Sequence, residues 1–255
     1  MTNGRRVLVH PDVPTLVGAV AARFLTKLVD LLEERDVVHV ALTGGTVGTD
    51  VLRGVATSPM RDGIDWTRVH FWWGDERFVP KDDPERNERQ AREALLTSLP
   101  TPEENIHPFP ASDEVADLDA AAASYAETLG AAASGDAPAP RFDITFLGVG
   151  PDGHIASLFP GFPDHDGPAP VIGVRNAPKP PPDRLSLTMP VLNGSVRVWM
   201  VLAGAEKASA LGLALAGVSP SEVPAAGVQG RKRTVYFVDQ AAASQVPQNL
   251  IASQY

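Results

Sequence analysis

The sequence contains no cysteine. Disulfide frameworks, thiolate zinc sites, iron–sulfur clusters and cysteine nucleophiles are all excluded by that single absence. It also lacks a long apolar run: the longest, residues 198–205, falls far short of the roughly 20 residues that a membrane span requires. The opening segment, MTNGRRVLVHPDVP, carries charge but no apolar stretch of signal-peptide length. These features lead to the expectation of a cytoplasmic protein. An excess of positive charge is missing too, with 22 Lys and Arg against 31 Asp and Glu, a formal net charge of −9. Such a chain has no basic footprint for a nucleic-acid backbone. A small anionic ligand stays compatible with it, because a few local donors can hold a phosphate against an unfavourable overall field.

What is present is ordinary for a globular protein: 255 residues, 44% hydrophobic and 21% charged, which excludes disorder throughout. The 24 prolines concentrate in loops. No repeat of fixed period is visible. Residues 7–9 read as a strand. Leu16, Val20, Phe24, Leu28 and Leu31 then recur at helical spacing. The run VVHVAL at 37–42 is apolar throughout, as expected of a strand buried on both faces of a parallel sheet. Helical pattern resumes over 47–55, and 69–73 reads as a second buried strand followed by a charged loop to residue 84. Further helices are expected over 87–96, 114–129 and 205–216. Further strands are expected over 142–147, 171–174, 184–188, 196–202 and 234–238. Alternating strands and helices predict an α/β, Rossmann-like fold: a mostly parallel sheet with helices on both faces. No linker divides two cores, so one domain over residues 1–255 is expected.

Ligands of open α/β sheets bind beyond the carboxyl ends of the strands. Three strand ends here carry unusual residues, and parallel strands would bring them to one rim. The first is Thr43-Gly44-Gly45-Thr46, where two glycines free the backbone to turn its amides inward and a helix start follows. This suits a phosphate, and it equally suits a plain strand-to-helix turn with Thr46 as N-cap. The second is Gly74-Asp75-Glu76-Arg77. Arg77 can pair with a phosphate and Asp75 can orient a hydroxyl, or the group is a surface ion-pair cluster. The third, Gly148 to His154, matches G-x-G-x-x-G. The match does not extend to a dinucleotide site, because Pro160-Gly161 stops the crossover helix and the next strand candidate ends in Arg175 rather than an acid. What this loop does offer is Asp152 and His154, a carboxylate beside a potential acid–base group. His39 and His70 read as structural, whereas His10, His107 and His165 lie in loops without other signals. No metal is expected: there is no His-x-x-x-His pair, and Asp164-His165-Asp166 reads as solvated surface. Arg184 leads a strand, and Lys207 falls at a helix start, where a cation is unfavourable unless an anion sits close by.

The segments LTGGT (42–46), FWWGDERFVP (71–80), FLGVGPDGHIASLFPG (146–161), RLSLTMPVLN (184–193) and VLAGAEKA (201–208) resemble the 6-phosphogluconolactonase family. The GPDGHIASLFPG segment is the most specific of them. The resemblance implies hydrolysis of 6-phospho-D-glucono-1,5-lactone without metal or organic cofactor. On this sequence it implies His154 as general base, with Asp152 helping to position the site. It places Thr43, Gly44, Gly45, Thr46, Arg77, Arg184 and Lys207 around the 6-phosphate or the developing charge, with Asp75 also at the substrate. The implied partner is a small sugar phosphate, with no nucleic acid or membrane, and the chain is expected to be a monomer or small homo-oligomer. The family's first loop usually reads Ser-Gly-Gly-Ser-Thr-Pro, whereas Val47 and Gly48 stand here in place of a hydroxyl residue and a proline. The related glucosamine-6-phosphate deaminases share Asp-Gly-His-Ile-Ala but continue to a glutamate where this chain has Phe159. The lactonase reading is therefore preferred. The deaminase remains the alternative enzyme, and a non-catalytic sugar-phosphate-binding protein the alternative from another class.

Overall fold

A computed structural model describes residues 5–163 and 166–251. Asp164 and His165, read above as part of a solvated acidic loop, lie outside the described residues.

Among the described residues nine strands form two sheets. Six make a wholly parallel sheet in the order β1 (Arg5–His10), β9 (Arg233–Asp239), β8 (Arg197–Leu202), β5 (Ile144–Leu147), β2 (Val38–Leu42) and β3 (Val69–Trp73). The other three make an antiparallel sheet in the order β4 (Asp75–Arg77), β7 (Arg184–Leu187) and β6 (Val171–Val174). The sequence predicts the parallel sheet, but it reads residues 75–77 as part of a charged loop. Instead the chain leaves β3 at Gly74 and enters the second sheet at once. The Gly74 N–H donates to the Leu42 carbonyl (2.9 Å), and its carbonyl accepts from Leu187 (2.9 Å). A short polar strand of this kind has no apolar alternation to reveal it.

Helix α1 (Val13–Glu34) starts where Asp12 caps it, its side chain accepting from Thr15 N–H at 2.8 Å. It buries the periodic face expected, Leu16, Val20, Phe24, Leu28 and Leu31. Phe24 meets Phe146 edge-on at 5.2 Å, and Phe146 in turn meets Trp199 at 5.5 Å. Trp72 is in register with Ala41, and Ala41 with Thr145, the neighbour of Phe146. Since side chains alternate along a strand, Trp72 points to the opposite face. There it meets Tyr125 of α4 (Leu118–Ala131) at 6.3 Å. Helices thus cover both faces. Among the described residues no helix is long and apolar enough to cross a membrane.

Helix α2 (Thr46–Thr57) follows β2, and α3 (Asn87–Ala94) follows β4. Helix α4 begins at Leu118 rather than at residue 114, because Asp117 is the residue that caps it, accepting from Ala120 N–H at 2.8 Å. Glu114 is instead tied to Ala111 N–H and Lys81. The helix expected over 205–216 is a 3-10 turn, Ala205–Lys207, running into α6 (Ala208–Ala216), which ends at Gly217 in the left-handed region (φ 72°). A short helix, α5 (Met189–Asn193), lies between β7 and β8.

The strand order creates a switch point. From β2 the chain passes through α2 to β3 on one side, while from β5 it returns to β8 on the other. The loops leaving β2 and β5 diverge and leave a crevice between the carboxyl ends of adjacent strands.

Candidate active site

The loop after β2 turns at Gly45, whose φ of 83° lies in the left-handed region, a conformation that glycine adopts without steric cost. Gly45 is the N-cap of α2, with no side-chain cap bond. Thr46 is therefore the first helical residue and not the cap, and its exposed side chain is not among those lining the crevice. Thr43 joins this loop to the one after β5, its Oγ1 accepting from Gly148 N–H at 3.2 Å. The departure at Gly48 has a local cause. A β-carbon there would lie 2.9 Å from Thr43 Cγ2 and 3.0 Å from the Thr43 carbonyl. The methyl that distinguishes Thr43 from serine thus takes up the room a side chain at 48 would need.

The loop after β5 is a tight turn in which Gly150 N–H donates to the His154 carbonyl (2.8 Å) and Gly153 N–H to the Gly150 carbonyl (3.0 Å). It folds His154 back on Asp152, with Nδ1 2.5 Å from Asp152 Oδ1. Burial alone would raise the Asp152 carboxyl. The hydrogen bond and charge of His154, with backbone N–H donors, outweigh burial and carry it down to about 2. An ionised Asp152 accepts the Nδ1 hydrogen and so leaves Nε2 as the nitrogen with a lone pair. Gly150 is required for this geometry, since a β-carbon there would fall 2.0 Å from His154 Nδ1 and 2.4 Å from Asp152 Oδ1. Phe159 packs against the imidazole at 4.7 Å.

Strand β4 supplies the third wall. Alternation sends Asp75 and Arg77 to the crevice and Glu76 to the interior, where it is fully buried. Glu76 is no surface charge. Its carboxylate accepts from the backbone N–H groups of Arg77 (2.8 Å), Asn87 (2.6 Å) and Glu88 (2.9 Å), capping the start of α3. Burial pushes Glu76 up to about 7, against the pull of Arg86 and those three donors. Asp75 accepts from Ser157 Oγ at 2.7 Å and from Asn87 Nδ2.

These walls enclose one cavity of ≈ 260 Å³. Of the residues singled out in the sequence, it brings together Thr43, Gly44, Gly45, Asp75, Arg77, His154, Arg184 and Lys207. Asp152 stands behind His154, outside the lining. Sequence reading missed Asn87, which carries no motif, and Lys179, a cation embedded in a proline run; both line the cavity. Arg77 and Arg184 face each other across the β4–β7 ladder, a like-charge pairing that is unfavourable on its own. Burial lowers Arg184; Asp75 raises it, and Arg77 lowers it further. Burial likewise lowers Lys207, while Glu206 raises it and Lys179 lowers it. Arg184 lines the cavity and also serves the backbone: its Nε donates to the Pro181 carbonyl (2.7 Å), and its Nη2 to those of Lys179 (3.1 Å) and Pro180 (3.0 Å). Two of its three nitrogens therefore hold the strap that carries Lys179. The cavity combines an imidazole with a lone pair, backbone amides at a helix start and four cationic side chains, in a chain of net charge −9. That set suits a small phosphorylated substrate undergoing proton transfer. Among the described residues no group of three or more His, Asp or Glu side chains is placed to hold a metal ion.

Known proteins match in both sequence and shape. The model for glucosamine-6-phosphate isomerases/6-phosphogluconolactonase matches residues 11–237. The 6-phosphogluconolactonase of Streptomyces coelicolor is 47% identical over 255 residues, covering 98% of each chain. That of Mycobacterium tuberculosis is 42% identical over 242 residues, covering 94% of this chain and 97% of the other. The crystal structure of 6-phosphogluconolactonase from Thermotoga maritima superposes with a TM-score of 0.80 at 30% identity, over 92% of this chain and 100% of that one. A monomeric glucosamine-6-phosphate deaminase shares the fold, with a TM-score of 0.78 at 18% identity over 94% of this chain and 99% of that one. With the matched model spanning most of the chain and these relatives aligned nearly end to end, the chain belongs to the glucosamine-6-phosphate isomerase/6-phosphogluconolactonase family.

Proposed function

We propose that this chain hydrolyses 6-phospho-D-glucono-1,5-lactone to 6-phosphogluconate, the lactonase step of the oxidative pentose phosphate pathway, with His154 as the base. A water attacks the lactone carbonyl carbon while His154 Nε2 takes its proton. The carbonyl oxygen becomes an oxyanion, which nearby donors stabilise. Collapse breaks the bond to the ring oxygen, and the imidazolium returns the proton to that leaving oxygen. The products are a carboxylic acid, ionised at neutral pH, and a free hydroxyl. Asp152 fixes the tautomer and balances the imidazolium charge. Arg77, Lys179, Lys207 and the Gly44–Gly45 amides hold the phosphate and so set the carbonyl against the water. Arg184 contributes mainly by holding the Lys179 strap.

The observation that carries this reading is His154, backed by Asp152, facing the same cavity as the cations and the glycine turn. Phe159 favours the lactonase over the deaminase: it puts an apolar ring against His154 where the deaminase pattern supplies a carboxylate. The acidic, cysteine-free composition fits action in the cytoplasm, where the chain acts as one domain, a monomer or small homo-oligomer. The test is lactone hydrolysis measured beside glucosamine-6-phosphate deamination. The expected result is turnover of the lactone alone; deamination without lactonase activity would overturn the reading.

A further inference from the structure

Asn87 opens α3 at the edge of the cavity, and the residue is 3% exposed. Its Nδ2 donates to the Asp75 carbonyl at 2.9 Å and approaches the Asp75 carboxylate at 3.4 Å. That arrangement settles which way the carboxamide points, because the opposite orientation would set Oδ1 against two oxygens. The other end of the amide is therefore an acceptor, and among the described residues Asn87 Oδ1 has no hydrogen-bond partner. A buried acceptor left without a donor costs free energy, and such groups are rare in folded proteins. The bareness of Gly44 lets the carboxamide lie against its backbone, since a β-carbon there would fall 1.9 Å from Oδ1. The platform behind it is firm. Asp75 is held by Ser157 Oγ at 2.7 Å, the Ser157 N–H donates to Ser186 Oγ at 3.2 Å, and the Asn87 N–H is bound to Glu76 at 2.6 Å.

We propose that Asn87 is a specificity-determining residue, its Oδ1 accepting a hydrogen bond from one ring hydroxyl of the sugar lactone. This rests on the lactonase reading. The phosphate and carbonyl oxygens of the substrate only accept hydrogen bonds, and the cations and amides of the cavity serve them. The ring hydroxyls bring donors, and an oriented, unpartnered carboxamide oxygen answers that need. A site built to bond a hydroxyl rejects an analogue without it far more strongly than an apolar pocket rejects a change of size.

The test compares kcat/KM for the lactone and for analogues each lacking one ring hydroxyl, in wild type, Asn87→Ala and Gly44→Ala. Asn87→Ala is expected to lower kcat/KM on the full lactone by about 10- to 100-fold. Against one analogue, the wild type's preference for the full lactone is expected to collapse to within about threefold in the variant, because substitution and deletion remove the same bond. Gly44→Ala, which displaces Oδ1 without removing it, is expected to erase the same preference and serves if Asn87→Ala does not fold. Losses that multiply on every analogue would overturn the proposal. So would an equal fall in kcat on all of them, which would place Asn87 on the attacking water instead. Those outcomes leave wild-type turnover of the lactone intact and sink only the role of Asn87; a wild type that hydrolyses no lactone sinks both readings.

Discussion

A histidine acts as a base only through the ring nitrogen without a hydrogen, and Asp152 decides which one that is. His154→Ala is expected to lower kcat by about 10²- to 10⁴-fold, the usual scale for a lost general base, with the unfolding midpoint little changed; a wild-type rate in the purified variant would remove His154 from the mechanism. Asp152→Asn leaves the shape but can present a hydrogen to Nδ1 and so favour the wrong tautomer. It should depress kcat by roughly 10-fold or more, with a smaller effect on KM. Lys179→Ala should do the reverse, raising KM and weakening competitive inhibition by 6-phosphogluconate about 10-fold while kcat stays near wild type. His154 and Asp152 were legible because two residues of one loop carry the pair. Asn87 and Lys179 were not, since they reach the cavity from a helix start and a proline-rich strap far from any motif.

At the scale of elements, the turn between β5 and the rest of the chain works because Gly150 has no side chain. Gly150→Ala places a methyl 2.0 Å from His154 Nδ1. The clash falls on the movable ends of His154 and Asp152, so the pair is displaced and the fold keeps its stability to within roughly 0.5 kcal/mol. Activity is expected to drop to within about tenfold of the His154→Ala level; near-normal turnover would show that the tight turn is dispensable. Glu76 does the opposite kind of work. It fastens β4 to the start of α3 through three backbone N–H groups, and Glu76→Ala would leave those donors without their carboxylate and the buried Arg86 with Glu88 alone as its acidic partner. Denaturant unfolding should register a loss of about 3–5 kcal/mol. The GDER motif was visible in the sequence, but its division of labour was not. Only the pairing of β4 with β7 turns Asp75 and Arg77 toward the cavity and Glu76 into the core.

Over the whole molecule, stability is tied to pH through groups far from the catalytic rim. His39, His70 and His107 form a chain of rings beneath Trp72, with His70 Nδ1 2.9 Å from His107 Nε2 and Trp72 Nε1 donating to His39 Nδ1 at 3.2 Å. Burial first, then mutual repulsion with His70 and His107, depresses His39 to about 4; burial and His70 bring His107 to about 4, and burial lowers His70. Their folded values lie below the unfolded value near 6.5, so the unfolded chain binds more protons in this range. The stability they contribute is complete above about pH 6.5 and is lost as pH falls toward 4. Glu76, raised to about 7, works in the other direction and is outnumbered. The unfolding midpoint is expected to fall steadily between pH 6.5 and 4.5; a flat profile would show that the rings are hydrated. By itself the sequence determined the layered α/β class and the three chemically marked strand ends, because apolar periodicity and glycine-rich loops are local properties of a chain. Tertiary structure alone decided that β2 and β5 lie side by side at the switch point, that a second sheet starts at Asp75, that Arg184 grips the strap of Lys179 and that Asn87 is left with an unanswered oxygen. Each of these depends on which strands pair and in what register, and pairing between distant segments is set by packing energies that no short window of sequence contains.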